Sequence, residues 1–255
     1  MLNLCPSRGE EIEPCRSVSA RCVGDAVFPT DRQTQAPLLC EGCEDILNKG
    51  GETWIADKLA TWERTFPLCD LLGKQPPDFS EDGTVLYSAA NNPEIKVDKL
   101  THFALGMFWK ASVHSWSGAG TDPRVDLGPY SEKIRTWLRG ETEFPQHIFL
   151  VVVISPPLFA QIALIDPYEA ERQECRSFFF NVPGILFMLN VGKTVDKSMQ
   201  FLCIHNNPSH PITICEELTG SFQQLMVKTL QKSRKTQAYL KAKAKADQER
   251  KRRKS

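Results

Sequence analysis

The strongest constraint on the fold lies in the second half of the chain, where strand-like segments follow one another too closely for helices to lie between them. Five segments rich in Val, Ile, Leu and Phe are predicted as strands, at 147–155, 161–166, 176–182, 185–191 and 199–205. Turn-forming residues occur between them, with Pro183-Gly184 as the clearest example. Because consecutive strands without crossover helices pair in opposite directions, we expect an antiparallel sheet.

The first half of the chain has helical periodicity instead. A short helical stretch opens at Cys40 and runs to about residue 48, where Gly50-Gly51 interrupts it. Apolar residues spaced by three and four predict further helices at 52–66 and 99–114, and Pro129 suits the first turn of a short helix at 129–139. Helices followed by strands are typical of the α+β class.

Charge divides the chain more sharply than its average suggests. The net charge is zero, yet residues 228–255 hold twelve Lys and Arg against two acidic residues, which leaves the rest of the chain at −10. We expect three regions. They are a loop-rich region with a helix at 1–66, an α+β body at 67–215 with its strands within 147–205, and a basic C-terminal helix or tail at 216–255.

The basic tail suggests contact with nucleic-acid phosphates. Lys and Arg neutralise phosphates whatever the base sequence, so such binding weakens as salt rises. Tyr239 is the tail's one aromatic residue, which argues against base stacking. The alternatives are a solvated extension that aids solubility and a tail folded against the acidic body. The residues that we expect to bind DNA are Lys241, Lys243, Lys245, Arg250, Lys251, Arg252, Arg253 and Lys254.

The cysteines are distributed unevenly, and five of the nine fall within the first 43 residues. Cys40 and Cys43 form a Cys-x-x-Cys pair on a turn that enters a helix, which suits half of a tetrahedral zinc site. The partners that could complete it are Cys5, Cys15 and Cys22, at spacings that match no standard knuckle. A structural pair without metal and a redox pair remain alternatives. Redox pairs usually belong to a βαβ unit, and the sequence pattern predicts no such unit here.

The histidines and the remaining motifs indicate no catalytic centre. His102 falls beside the apolar face of its predicted helix, which is typical of a packed or surface residue. His205 and His210 flank an Asn-Asn-Pro sequence that a turn explains without a metal. The chain has no Gly-x-Ser-x-Gly, no Walker-type loop and no Gly-x-Gly-x-x-Gly. No catalytic residue is assigned from these patterns.

A family resemblance is carried by the segment 35–48, QAPLLCEGCEDILN, and by the Gly-Glu and Trp of 51–54. These residues resemble the second knuckle of bacterial HNH-like, treble-clef endonuclease-related proteins. Segments 99–112 and 127–130 resemble the same group, so the likeness covers roughly residues 35–200. It implies an N-terminal treble-clef-like half-site with a structural Zn²⁺ on Cys40 and Cys43. If the protein is catalytic, it also implies a divalent metal such as Mg²⁺.

The chain departs from that group where catalysis would lie. Such proteins usually begin with a Cys-x-x-Cys and a Ser-His-x-x-Pro segment, whose His would be the general base beside the metal. No His precedes His102 here, and Asp25 precedes Ala-Val-Phe-Pro29 where an imidazole is wanted. The N-terminal catalytic half is therefore missing or degenerate.

These observations favour an HNH-like, zinc-binding, nucleic-acid-associated protein whose endonuclease site is degenerate or truncated. The main alternative is a non-catalytic module, in which zinc staples the N-terminal region and the sheet or tail binds a partner. A third hypothesis is that the protein is a disabled fragment of a once-active gene. The longest apolar run has seven residues and the N-terminus lacks a signal-peptide pattern, so we expect a cytoplasmic protein without membrane contact.

Overall fold

A computed structural model describes residues 20–23, 26–29, 38–61, 65–114, 125–154, 165–170, 175–215 and 220. Its helices are α1 (Glu41–Leu47), α2 (Thr53–Ala56), α3 (Pro67–Leu72), α4 (Val97–Val113), α5 (Tyr130–Leu138) and α6 (Lys197–Phe201). A π-helical turn, Asn48–Glu52, joins α1 to α2, and a 3-10 turn, Ala89–Asn91, precedes α4. The strands are β1 (Ala20–Val23), β2 (Ala26–Pro29), β3 (Phe79–Glu81), β4 (Thr84–Ser88), β5 (Ile148–Ile154), β6 (Ile165–Ala170), β7 (Arg176–Val182), β8 (Ile185–Val191) and β9 (Pro211–Cys215).

Seven of the strands form one mixed sheet in the order β3-β4-β9-β5-β8-β7-β6. Neighbouring strands in this sheet are antiparallel except β5 and β9, which run parallel. The parallel pair arises because the chain leaves β8, passes through α6 and returns as β9 on the other side of β5. Strands β1 and β2 form a separate antiparallel hairpin, in which Ala20 lies opposite Pro29.

Helix α4 packs into the main core against one face of the sheet. Its side chains Phe103 and Phe108 lie edge-on to Phe180 and Phe187, with ring centroids 4.9 to 6.0 Å apart. Residues of α1, α2 and α3 belong to the same apolar cluster. Strand β5 is buried along its whole length, because alternate residues face this core and a second apolar cluster on the opposite face. Burial on both faces explains its unbroken apolar sequence, IFLVVVI.

The α+β class is confirmed, and several elements lie where the sequence predicts them. Strands β7 and β8 match 176–182 and 185–191 residue for residue, and β5, α4 and α5 lie within one or two residues of their predicted bounds. The turn between β7 and β8 uses Pro183 and Gly184, with Gly184 at φ 88°. Only glycine adopts that backbone angle readily, so this sequence fixes the hairpin.

The predicted strand at 199–205 is wrong, because residues 197–201 form α6 and the following residues are turns. The backbone N–H of Ser198 donates to the Asp196 carboxylate at 2.7 Å, which caps the helix. Met199 and Leu202 then pack on the second apolar cluster at helical spacing. The expected strand at 161–166 is β6, which begins at Ile165 and extends to Ala170.

The expectation of a purely antiparallel sheet is also wrong, since β5 and β9 are parallel. Three strands of the sheet were not predicted, namely β3, β4 and β9. The Asp82-Gly83 pair that reads as a chain breaker is the turn of the β3–β4 hairpin, with both residues at positive φ. Asp-Gly is a favoured two-residue hairpin turn, and this signal was available in the sequence.

The helix predicted at 52–66 is shorter than expected, because α2 ends at Ala56. Gly50 and Gly51 do not interrupt the preceding helix but form part of the π-helical turn that continues it. Pro67 begins α3. A residue at the first helical position has no intrahelical partner for its N–H, so a proline there costs no hydrogen bond. No helix among the described residues has the length and apolar character needed to cross a membrane. The predicted basic C-terminal helix lies outside the described residues.

Candidate functional site

The Cys40–Cys43 pair lies at the start of α1, where the two side chains meet. Cys40 is the N-cap residue, with an extended backbone (φ −73°, ψ 160°), and its carbonyl accepts from the Glu44 N–H at 3.0 Å. The thiol of Cys43 donates a hydrogen bond to the Cys40 sulfur. Cys40 is exposed, Cys43 is partly buried, and both are free thiols. The spacing therefore brings two soft donor atoms together at the surface.

The two thiols differ in acidity. The backbone N–H and the thiol of Cys43 both donate to the Cys40 sulfur, which holds the pKa of Cys40 below its ordinary value. The thiol–thiol hydrogen bond raises the pKa of Cys43, because Cys43 must give up the proton that it donates. Arg139 and Arg135 act in the opposite direction on Cys43. A thiolate is the form that binds zinc, so the surroundings of Cys40 favour a metal ligand.

A small cavity of about 60 Å³ lies beside Cys43. Trp109 of α4 and Leu138 of α5 line it, together with Arg135 and Arg139. Arg135 is held by a two-pronged ion pair with Glu132, at 2.7 and 2.8 Å, and Arg139 is paired with Glu141 at 2.5 Å. The cavity thus combines an apolar wall with two cationic side chains next to a thiol.

A partly buried ion pair fixes α1 and the π-helical turn to α4. Lys110 Nζ lies 2.6 Å from Glu52 Oε1 and 3.8 Å from Glu44 Oε1. The Lys110 side chain is only 14% exposed and that of Glu52 26% exposed, so water screens this pair less than a surface pair. Glu44 belongs to the same turn as the cysteines, and the ion pair therefore helps to hold the thiols over α4.

His102 is a packed residue of the helix interface, as the sequence suggests. Its Nε2 bonds to the Leu138 carbonyl oxygen at 3.1 Å, and its ring lies 5.6 Å from the Trp137 ring. The ring also faces Gly50, where an added Cβ would lie 2.1 Å from His102 Cε1. His102 therefore connects the π-helical turn, α4 and α5, and its ring packs between them.

Two partly buried histidines, His102 and His205, should make the fold sensitive to acid. Burial is the main reason that the pKa values of His102 and His205 lie below the ordinary value, and His205 also stacks on Phe144 with centroids 3.6 Å apart. The folded protein therefore takes up these protons at a lower pH than the unfolded chain, which takes them up near pH 6.5. Stability is fully present above that pH and is lost as the pH falls below it.

We expect the free energy of unfolding in urea to fall between about pH 7.5 and about pH 5.5, and to fall less in His205→Phe and His102→Gln. Phenylalanine keeps the stacking on Phe144 and removes the titrating group. An unchanged pH dependence in both His205→Phe and His102→Gln would contradict the assignment.

The structure brings only some of the predicted site residues together. Cys40 and Cys43 come together, and Cys22 lies in β1, whereas Cys5, Cys15 and the tail residues lie outside the described part of the chain. The ion pair of Lys110 and the arginines beside Cys43 were not predicted. Their only sequence signal is the helical spacing that places Arg135, Leu138 and Arg139 on one side of α5.

Within the described ranges, no group of three or more His, Cys, Asp or Glu side chains is arranged to hold a metal ion. Cys40 and Cys43 fit half of a tetrahedral zinc site, since both donors are free thiols and lie three residues apart at a helix start. Further ligands must therefore come from outside these ranges or from a side chain that is not described, such as Cys22. The chain matches no protein-family model, no curated protein and no solved structure.

Proposed function

We propose that this chain is a zinc-binding, nucleic-acid-associated protein related to HNH-type endonucleases. Cys40 and Cys43 would supply half of a structural zinc site, and the basic tail would bind DNA. The placement of the two free thiols three residues apart at the start of α1 carries the zinc proposal. A chain that places two cysteine sulfurs on one side of a helix start presents the donor pair that zinc selects.

The surroundings of the pair support this assignment. Zinc bound by several thiolates carries net negative charge. The charges of Arg139 and Arg135 oppose the rise in the pKa of Cys43 that its hydrogen bond with Cys40 causes. Such neighbouring cations stabilise a thiolate centre. The hairpin β1–β2 precedes α1, so the order is hairpin and then helix, with the cysteine pair at the helix start. This order is compatible with the treble-clef resemblance of the sequence.

Zinc at this site would act as a structural cross-link. Its chemistry is to fix four ligands in a tetrahedron, which would tie the loop-rich N-terminal region to α1. The two cysteines would hold the metal as thiolates, and the Lys110–Glu52 ion pair would keep α1 seated on α4.

We expect the purified full chain to contain about one zinc per molecule, and Cys40→Ser and Cys43→Ser to contain less than about half as much. Each substitution removes a thiolate that zinc requires. Elemental analysis under reducing conditions measures the content. Cys69→Ser is the matched control, because Cys69 is a half-buried thiol of α3, and it should keep the parent's zinc. Less than half an equivalent in the parent chain contradicts the proposal.

The alternative function is a non-catalytic interaction module with the same zinc site. The observation that favours it is the state of His102, the first histidine of the chain, whose Nε2 is bound to the Leu138 carbonyl and whose ring packs on Gly50. Mg²⁺-dependent nicking of a supercoiled plasmid separates the two functions. Nicking by the full chain that Cys40→Ser abolishes supports an endonuclease. Nicking that survives Cys40→Ser, or no nicking, favours the module.

The cysteines also bear on the compartment. All six cysteines between residues 38 and 215 are free thiols. Free thiols are typical of reducing compartments, and we propose a cytoplasmic location on that basis.

A further inference from the structure

We propose that Cys40 and Cys43 form a reversible intramolecular disulfide when the protein meets a small-molecule disulfide such as oxidised glutathione, and that this closes the pair to metal. The disulfide depends only on the two thiols. Its consequence for metal binding rests on the proposed zinc function. The inference therefore adds redox control to the same site, and its two parts can be tested separately.

The geometry of the pair allows the bond to form with a small movement. The two cysteines lie three residues apart at the start of α1, which places both side chains on one side of the helix. Residues three apart on a helix have Cβ atoms about 5–6 Å apart, whereas a disulfide needs about 4 Å. Cys40 can close this difference because it is the N-cap, with an extended backbone outside the helix. A Cβ added at Gly42, between them, would have nothing within 4 Å, so the turn is open to solvent on that side.

Exposure assigns different roles to the two thiols. Cys40 is exposed and can be reached by an oxidant in solution. Cys43 is partly buried beside Trp109 and Leu138, which restricts access by a molecule the size of glutathione. Cys40 is therefore the attacking thiol and Cys43 the resolving thiol.

The reaction consists of two exchange steps. The Cys40 thiolate attacks one sulfur of oxidised glutathione, so that a Cys40–glutathione bond forms, the glutathione disulfide breaks and one glutathione thiolate leaves. Cys43 then loses its proton to water, and its thiolate attacks the Cys40 sulfur and releases the second glutathione. Two electrons pass from the cysteine pair to the glutathione disulfide. The two cysteine protons end on the two glutathione thiols through solvent.

A single tryptic peptide makes the disulfide measurable. Residues 33–49 contain Cys40 and Cys43, no other cysteine and no internal Lys or Arg. The reduced full chain, freed of metal with a chelator, is equilibrated with glutathione buffers, alkylated, digested and analysed by mass spectrometry. Excess oxidised glutathione should convert most of this peptide to an internal disulfide that is two hydrogens lighter, and reduced glutathione should reverse it.

The peptide 65–74, which contains Cys69, provides an internal comparison in the same sample. Cys69 is partly buried, so we expect it to be modified at least about tenfold more slowly than Cys40. In Cys43→Ser the mixed disulfide on Cys40 should accumulate, since no thiol is left to resolve it. In Cys40→Ser the mixed disulfide on Cys43 should form at least about tenfold more slowly.

The disulfide proposal fails if peptide 33–49 stays alkylated to the same extent as peptide 65–74, and the assigned roles fail if both single variants take up glutathione at equal rates. Zinc content of the reduced protein is measured in parallel. A disulfide without zinc binding supports the redox pair and rejects the zinc site. Zinc binding without a disulfide supports the zinc site and rejects the redox pair. When both are present, zinc should delay oxidation of peptide 33–49, and equal oxidation rates with and without zinc reject the metal-linked control.

Discussion

Gly51→Ala should lower the free energy of unfolding by about 3 kcal/mol or more, and the melting temperature by about 6–12 °C. An added Cβ at this position would lie 2.3 Å from the backbone oxygen of Lys99 and 2.7 Å from the backbone nitrogen of Phe103. Backbone atoms inside α4 cannot rotate away as a side chain can. The π-helical turn must therefore separate from α4, which opens the core around Phe103. Urea denaturation and calorimetry measure the loss.

The matched control is Gly42→Ala, also in the helical stretch before α2. A Cβ at Gly42 has nothing within 4 Å, so alanine should stabilise the protein by up to about 1 kcal/mol through its higher helix propensity. Gly50→Ala should fall between the two, since its clash is with the His102 ring, which can turn aside at the cost of its bond to Leu138. If Gly51→Ala proves as stable as Gly42→Ala, the π-helical turn and α4 are not in close contact at this point.

The close approach at Gly51 also positions the candidate site. The same helical stretch carries Cys40 and Cys43 at its start and Glu52 near its end. Glu52 pairs with Lys110 of α4, and Cys43 faces Trp109 of α4. The glycines allow this stretch to lie directly on α4, so the thiol pair and the cavity depend on two residues that the sequence suggests are a helix break.

Local patterns predicted the elements whose surroundings agree with their own sequence. Helix α4 has a broad apolar face, and the β7–β8 hairpin has two strands buried almost throughout and a Pro-Gly turn. These elements need little information from distant residues. The α+β class follows from their order along the chain.

Elements that depend on distant partners were missed. Strand β9 is only five residues long, and it is a strand because β4 and β5 supply hydrogen bonds on its two sides. Its partner β4 lies more than 120 residues earlier, which no local pattern shows. The opposite error occurred at 199–205, where a strand was predicted and the structure has a helix. The apolar residues there belong to α6, which Asp196 caps. Short apolar segments leave helix and strand undecided until packing selects one.

In the candidate site, too, the features set by local sequence were predicted and those that depend on distant residues were missed. The Cys-x-x-Cys spacing predicted a pair of neighbouring thiols, because three residues at a helix start place the two side chains on one side. The cavity beside Cys43 brings α1 together with α4 and α5, whose cavity residues follow Cys43 by about 65 and 95 residues in the chain. Its arginines become relevant to the cysteines only through this packing. Charge counts along the sequence therefore missed the cations that matter locally.

Deletion of residues 228–255 should remove the salt-sensitive affinity for DNA that we propose for this protein. The deleted segment carries a net charge of +10 and leaves a body of −10, which DNA repels. If the tail contacts six to ten phosphates, the full chain should lose about a thousandfold or more in affinity between about 50 and 200 mM salt. At the lower salt concentration, the truncated chain should bind at least about a hundredfold more weakly. Fluorescence anisotropy with a labelled duplex measures both values.

A full-length variant separates charge from chain length. Substitution by Gln of the eight tail residues Lys241, Lys243, Lys245, Arg250, Lys251, Arg252, Arg253 and Lys254 keeps the tail and removes most of its charge. This variant should bind DNA nearly as weakly as the truncated chain, with a salt dependence reduced by up to about 0.9 per lost phosphate contact. Changing the duplex sequence should alter neither value, because phosphates carry no base information. A truncated chain that binds as tightly as the full chain would assign the tail to solubility alone, and DNA binding would then have to reside in the acidic body.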